Sequence, residues 1–173
     1  MKSEIDPKRL KDLVTLFDGL HKLHEQLLAL IRSRIDAMKR SDVAAMQSLS
    51  EQEQLLAGRV EQREGLRRQL MDKIGEQCGL SSRAARALSV SQLAGRLDEP
   101  QRTTLQQAAQ RLRGIIAKVA QANRVAGAIS REVLTHLEWV FASVRPASEQ
   151  PFVYSVNGQA PLANDARIFE TVG

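Results

Sequence analysis

The sequence is poor in several residue types on which many protein classes depend. Only one of its 173 residues is cysteine, Cys78, so no disulfide can form within the chain, and we expect a reducing compartment. Aromatic residues make up 3% of the chain although hydrophobic residues make up 43%, so aliphatic side chains must build the core. Such a composition favours long helix–helix seams over a core packed around large rings.

The sequence also lacks the long apolar stretches that membranes and secretion require. No uninterrupted run approaches the roughly 18 apolar residues of a transmembrane helix, so we expect no membrane insertion. The first residues, MKSEIDPKRLKDL, are charged and lack the apolar centre of a secretory signal, which predicts a cytoplasmic protein. The formal net charge of +5 indicates only a mild positive bias.

Motifs for catalysis and for cofactor binding are missing as well. We find no phosphate-binding loop, no dinucleotide-binding glycine pattern, no nucleophile elbow and no zinc-protease motif. His21 and His24 have an i,i+3 spacing that metal ligands use, but we expect Glu25 to point to a different face. Cys78 has no CxxC partner, and we interpret it as a buried or incidental thiol. We therefore predict no enzyme activity, no metal site and no cofactor.

What the sequence does contain is helical periodicity, with apolar residues recurring at steps of three and four. The pattern predicts long helices at about residues 7–40, 43–78 and 99–144. Asp6 and Asp42 stand where N-caps of the first two helices are needed. The third segment alone would form a rod on the order of 65–70 Å long, which needs partner helices to cover its apolar stripe.

The remaining segments are a connector and a tail. Residues 82–97 predict short helical pieces, with Ser82 and Ser89 as caps, and Gly79 predicts the end of the second helix. Residues 145–173 hold three of the five prolines and predict a flexible tail. The predicted fold is all-α: a long antiparallel helical hairpin or coiled-coil bundle over residues 1–144, with a short helical connector and a mobile C-terminal tail.

The second helix has the weakest apolar stripe of the three, which consists of Met46, Leu49, Leu56, Val60, Leu66, Leu70 and Ile74. Glu53 and Arg63 occupy positions at which the spacing asks for an apolar residue. We therefore expect its middle to be partly exposed to solvent and supported by charge pairs along the helix.

The third helix carries the candidate binding surface. Its apolar face is rich in small residues, which leave a shallow groove suited to an amphipathic helix of a partner. The chain's own helices could fill this face instead, and open seams could also close by homodimerisation. In the tail, Phe152 and Tyr154 are candidate docking residues. The candidate groove consists of Val119, Ala122, Asn123, Ala126, Ile129, Val133 and Leu137.

An arginine strip on the same helix supports a different hypothesis. Arg102, Arg113 and Arg124 are spaced so that each lies only about 20° around the helix from the one before, and Arg131 joins them. Such a strip could follow phosphates in a basic coiled-coil scaffold or nucleic-acid-binding protein. No aromatic residues are interleaved for base stacking, so we favour a solvated face that keeps the rod soluble.

The order of these segments resembles the FlgN family of flagellar export chaperones. The resemblance covers about residues 10–158 and rests mainly on four segments. They are Asp42–Glu53, the Leu88–Leu97 connector, the QANR sequence of Gln121–Arg124 ahead of a long amphipathic stretch, and the tail's Tyr154-x-x-x-Gly158. The basic pI of about 9.8 departs from the acidic character common among secretion chaperones.

The resemblance implies a cytoplasmic helical chaperone that binds hook–filament junction proteins, also called hook-associated proteins, before secretion. Members of the family keep the terminal helices of these clients soluble and deliver them to the flagellar type III export apparatus. The implied site is the groove on the third helix, with the tail serving client binding or docking at the export gate.

Overall fold

The structure, a computed structural model, describes residues 5–144. It contains α1 (Pro7–Lys39), α2 (Val43–Gln77), α3 (Ser82–Arg86), α4 (Val90–Ala94) and α5 (Gln101–Val144). The predicted all-α class is confirmed, and the long helices begin and end within two residues of the predicted bounds. The predicted tail, residues 145–173, lies outside the described residues.

The chain divides into two compact units, Met1–Leu134 and Thr135–Gly173. The first unit holds α1 to α4 and the greater part of α5, and it contains the packed apolar core. The described part of the second unit is the last stretch of α5, residues 135–144. No helix within residues 5–144 combines the length and the apolar character needed to cross a membrane.

One residue, Asp42, both ends α1 and begins α2. Its N–H donates to the Ala37 carbonyl at 3.0 Å, and the Ser41 N–H donates to Met38 at 3.0 Å. Ser41 takes the left-handed conformation, with φ of 55°, that this kind of helix ending requires. The Asp42 carboxylate then accepts from the Ala45 N–H at 3.0 Å. The sharp turn between the two helices thus satisfies backbone groups at both helix ends.

The end of α2 uses the same arrangement with a glycine. Gly79 has φ of +73° and its N–H donates to Glu76, while the Leu80 N–H donates to the Gly75 carbonyl at 3.1 Å. The predicted cap at Gly79 is therefore present. Gly75 packs closely against α3. A Cβ atom added at Gly75 would lie 2.6 Å from the Cβ of Ala85, so a larger residue would not fit there.

Polar contacts fix the directions of the three long helices. Arg34, late in α1, pairs with Glu53, early in α2, at 2.7 Å, so α1 and α2 are antiparallel. Asp18 of α1 pairs at 2.9 Å with Arg111, which lies 93 residues further along the chain. The first turns of α1 and α5 also line one surface cavity together, with Pro7 near Pro100. α5 therefore runs parallel to α1 and antiparallel to α2.

The connector folds into the two predicted short helices. Ser81, one residue before the predicted Ser82, caps α3 by accepting from the Ala84 N–H. Ser89 caps α4, and its backbone N–H in turn donates to the Gln92 side chain at 2.9 Å. Leu93 of α4 is fully buried.

A single apolar cluster joins α1, α2, α4 and α5. The predicted inward residues of α1 are buried or half-buried along its whole length. In α2 the predicted stripe is buried or half-buried except at Leu66, which is exposed, and Met71 and Cys78 are buried as well. In the middle of this helix the guanidinium of Arg63 lies over Gly19 of α1, although Arg63 as a whole is exposed. The fully buried large side chains are Leu13, Phe17, Leu20, Ile31, Ile74, Leu93 and Leu105.

Candidate functional site

The apolar stripe of α5 is covered by the chain's own helices over most of the first unit. Leu105, Ala108, Leu112 and Ile115 are all buried in the common cluster. This burial follows from the parallel packing of α5 on α1, in which both helices turn apolar faces toward each other. This part of the stripe therefore stabilises the bundle.

The predicted groove continues this covered face for part of its length. Val119 and Ala126 are buried in the cluster, and Ala122 and Ile129 are half-buried against it. Asn123 is exposed beside them. At these positions the chain's own helices occupy the face that a partner helix would need.

The cover that α1 gives to α5 ends near the end of the first unit. α1 ends at Lys39, and the offset of 93 residues between the two parallel helices places Lys39 level with Glu132. Val133, the next residue, is 49% exposed, and Leu134 is 60% exposed. Val133, which continues the apolar stripe, is therefore open where α1 no longer extends beside α5, and Leu134 is exposed on the adjoining side of the helix.

In the second unit, the described residues include further open apolar side chains. Leu137, the last residue of the predicted groove, is 44% exposed, and Trp139 and Phe141 are 66% and 70% exposed. The rings of His136 and Trp139 stack with their centres 6.1 Å apart. The candidate docking residues Phe152 and Tyr154 lie outside the described residues.

The histidines and the cysteine have structural surroundings. His24 is buried, and its Nδ1 donates to the Leu20 carbonyl at 2.8 Å, which occupies that nitrogen. Glu25 lies 3.5 Å from His21, one helical turn away, so our expectation that it points to a different face was wrong. Cys78 is a buried thiol. Within residues 5–144 no three potential metal ligands come together.

The members of the arginine strip have different surroundings from one another. Arg102 donates to the carbonyls of Ala94 and Leu97 at 3.1 and 2.9 Å, which fixes the connector against the start of α5. Arg124 is bound to the side chain of Gln121 one turn away. Because Arg102 holds the fold together, its guanidinium is not available to a phosphate backbone. The strip therefore supports nucleic-acid binding less well than its sequence spacing suggests.

Sequence reasoning did not identify Leu134 as a candidate. It lies beside Val133 but outside the regular three-and-four spacing from which the groove was assigned. Leu134 lies on the same side of α5 as Ile116, 18 residues earlier, which is also exposed, and the openness of that side depends on how the other helices pack on α5. That packing is a property of the tertiary structure.

Comparison with known proteins gives one match. The model of a family described as FlgN protein matches residues 1–161, which is most of the chain. Searches of curated proteins and of solved structures gave no match.

Proposed function

Because the chain belongs to the FlgN family of flagellar export chaperones, we propose that it binds hook-associated proteins in the cytoplasm. These proteins form the hook–filament junction, and the chaperone would keep their terminal helices soluble before secretion. The chaperone covers such a helix, prevents premature assembly and delivers the client to the flagellar export gate.

The observation that supports this proposal is the open apolar surface on α5. Val133 and Leu134 are about half exposed or more, although the residues of the apolar stripe that precede them, from Leu105 to Ile129, are buried or half-buried. Burying a large aliphatic side chain contributes roughly 1.5–3 kcal/mol, so two such residues give a useful share of the affinity for an amphipathic helix.

The covered part of the predicted groove has a supporting role in this proposal. Val119 and Ala126 pack in the bundle, so they hold α5 in place, and Ala122 and Ile129 extend that packing. Asn123 is exposed at the edge of this face, and its side-chain amide can donate and accept hydrogen bonds. We assign direct contact with the client to Val133 and Leu134 in the first unit.

In the second unit we assign client contact to Leu137, Trp139 and Phe141. Aromatic residues are enriched among the side chains that dominate binding energy, and these two rings are among the most exposed apolar groups described. The tail residues Phe152 and Tyr154 complete the proposal as docking elements for the client or for the export gate.

The experiment compares two leucine substitutions in full-length protein. Leu134→Asp places a charge in the proposed contact, whereas Leu55→Asp places the same charge on α2, where Leu55 is 71% exposed. Binding of a purified hook-associated protein is measured by isothermal titration calorimetry for both variants and for the unmodified chain. Both variants are first checked for unchanged helix content by circular dichroism.

The proposal predicts that Leu134→Asp weakens binding by about tenfold or more, because a carboxylate cannot be buried against an apolar helix without losing its hydration. Leu55→Asp binds as the unmodified chain does. Equal binding by all three proteins would exclude Leu134 from the contact. Failure of the unmodified chain to bind any hook-associated protein would reject the proposed function itself.

A further inference from the structure

A second surface feature lies within the first unit, away from the open residues of α5. A groove of about 250 Å³ runs between α2 and α5. Phe17 of α1 and Leu112 of α5 form its floor, and Val90 and Ile116 form apolar walls. Ile116 is 41% exposed, so the groove is open to a partner. Its volume is below the range of typical small-molecule sites and suits one large apolar side chain.

Arginines border the groove on both sides. Arg67 of α2 contributes to the lining together with Glu64, to which its Nε donates at 2.8 Å. Arg113 of α5 lines the same groove and also an adjoining polar depression beside Gln106 and Gln110. Within residues 5–144, the Arg113 guanidinium has no ion pair or hydrogen bond, so its donors are available.

The side chains that line the groove carry a positive excess, because Arg67 and Arg113 stand against one acidic residue, Glu64. The α2 segment 59–68 contains four arginines and two glutamates, and the α5 segment 111–118 contains three cations and no acidic residue. Arg111 in the second segment is paired with Asp18, so the positive charge at the groove is that of Arg113 together with Arg67, whose Nε alone is bonded to Glu64. A positive rim around an apolar floor is complementary to a surface that combines an apolar side chain with carboxylates.

We propose that this groove binds an acidic amphipathic helix of a protein partner. The partner seats one large apolar side chain between Leu112 and Ile116, and its flanking carboxylates pair with Arg113 and with the free donors of Arg67. This inference goes beyond the proposed chaperone function, because it assigns a second binding surface to the first unit. Both surfaces can be occupied at once if the partner is a component other than the client.

Nucleic acid fits the groove less well than an acidic helix does. An apolar floor contributes nothing to binding phosphates, and single-stranded nucleic acid normally adds stacking on exposed rings. The aromatic residue in this groove, Phe17, is 2% exposed, so no ring face is open to a base. Nucleic acid is therefore an outcome that the experiment must separate from the proposal.

The test selects peptides from a display library of helical sequences with the full-length protein as bait. The best peptides are synthesised with a fluorescent label, together with matched peptides in which glutamine replaces every glutamate and aspartate. Dissociation constants are measured by fluorescence anisotropy against the unmodified chain, Arg113→Glu and Ile116→Gln. The matched control is Arg83→Glu, which reverses an exposed charge on α3.

The proposal predicts that the selected peptides are rich in acidic residues around an apolar stripe. Arg113→Glu and Ile116→Gln each weaken their binding about tenfold, whereas Arg83→Glu weakens it less than about threefold. The glutamine-matched peptides bind the unmodified chain about tenfold more weakly, and high salt lowers the affinity of the acidic peptides. This comparison does not depend on the folding of any variant.

Two results would overturn the proposal. One is a set of selected peptides without acidic enrichment, or with equal affinity for all variants. The other is a duplex or single-stranded DNA oligonucleotide that binds in place of the peptides and loses affinity with Arg113→Glu. The Leu134→Asp variant separates the two proposals, because it retains full affinity for the acidic peptides while client binding is lost.

Discussion

The ion pair between Arg34 of α1 and Glu53 of α2 gives the sharpest prediction about stability. Their side chains are only 17% and 15% exposed, and the Nε–Oε1 distance is 2.7 Å. A charge-assisted hydrogen bond in such surroundings contributes roughly 1.5–3 kcal/mol, and removing one partner leaves the other charge poorly hydrated. We expect Glu53→Leu and Arg34→Met each to lower the free energy of unfolding by about 2 kcal/mol.

The double variant provides the decisive comparison. With both charges replaced by apolar side chains of similar size, no unpaired charge remains, so its stability should lie within about 1 kcal/mol of the unmodified chain. Urea unfolding followed by circular dichroism measures all four proteins. The exposed pair Asp36–Lys39, at 3.4 Å, is the control, with an expected coupling energy of about 0.3 kcal/mol. A coupling below about 0.5 kcal/mol for Arg34 and Glu53 would refute the reasoning.

Three backbone predictions can be checked in the same urea assay. Gly79→Ala should lower the free energy of unfolding by about 1 kcal/mol, because a residue with a side chain is strained at φ of +73°. The cause is the backbone conformation, since no atom lies within 4 Å of the added Cβ. An unchanged urea midpoint would argue against the left-handed cap. Ser41→Gly should stabilise the chain by about 0.5 kcal/mol by relieving the same strain at φ of 55°, and destabilisation would contradict this. Gly75→Ala should lower the free energy of unfolding by about 1–3 kcal/mol, since the added Cβ would lie 2.6 Å from the Cβ of Ala85. An unchanged free energy of unfolding would mean that α3 moves freely.

Local sequence signals are sufficient for most of the helices. Residue type and spacing predict the caps at Asp6, Asp42, Ser89 and Gly79, and all four are present. These signals succeed because capping depends on residues two to five positions apart, whose geometry the helix itself fixes.

The middle of α2 shows where such signals fail. Apolar spacing alone assigns Leu66 to the core, although it is 52% exposed, and the half-buried residue beside it is Arg67. The burial of Glu53 depends on its partner Arg34, which lies on another helix. Polar residues at an interface are recognisable only once the helix that satisfies them is known.

The candidate surface on α5 was predictable in kind but not in extent. The spacing identified the apolar face that includes Val119, Ala126 and Val133, and it left open whether the chain's own helices fill it. That question depends on where α1 ends relative to α5, because Lys39 is level with Glu132 in the parallel arrangement. No local pattern in either helix encodes this offset.

The most direct test of the proposed function is the mass of the complex with a client. The purified full-length chain is mixed with a purified hook-associated protein and analysed by size-exclusion chromatography with light scattering. We expect a new peak that contains both proteins and whose mass is the sum of their chains in a fixed ratio, and we expect Leu134→Asp to abolish it. The same run reports whether the chaperone alone is a monomer or a homodimer. Two separate peaks with the unmodified masses would contradict the assignment of this protein as a chaperone for hook-associated proteins.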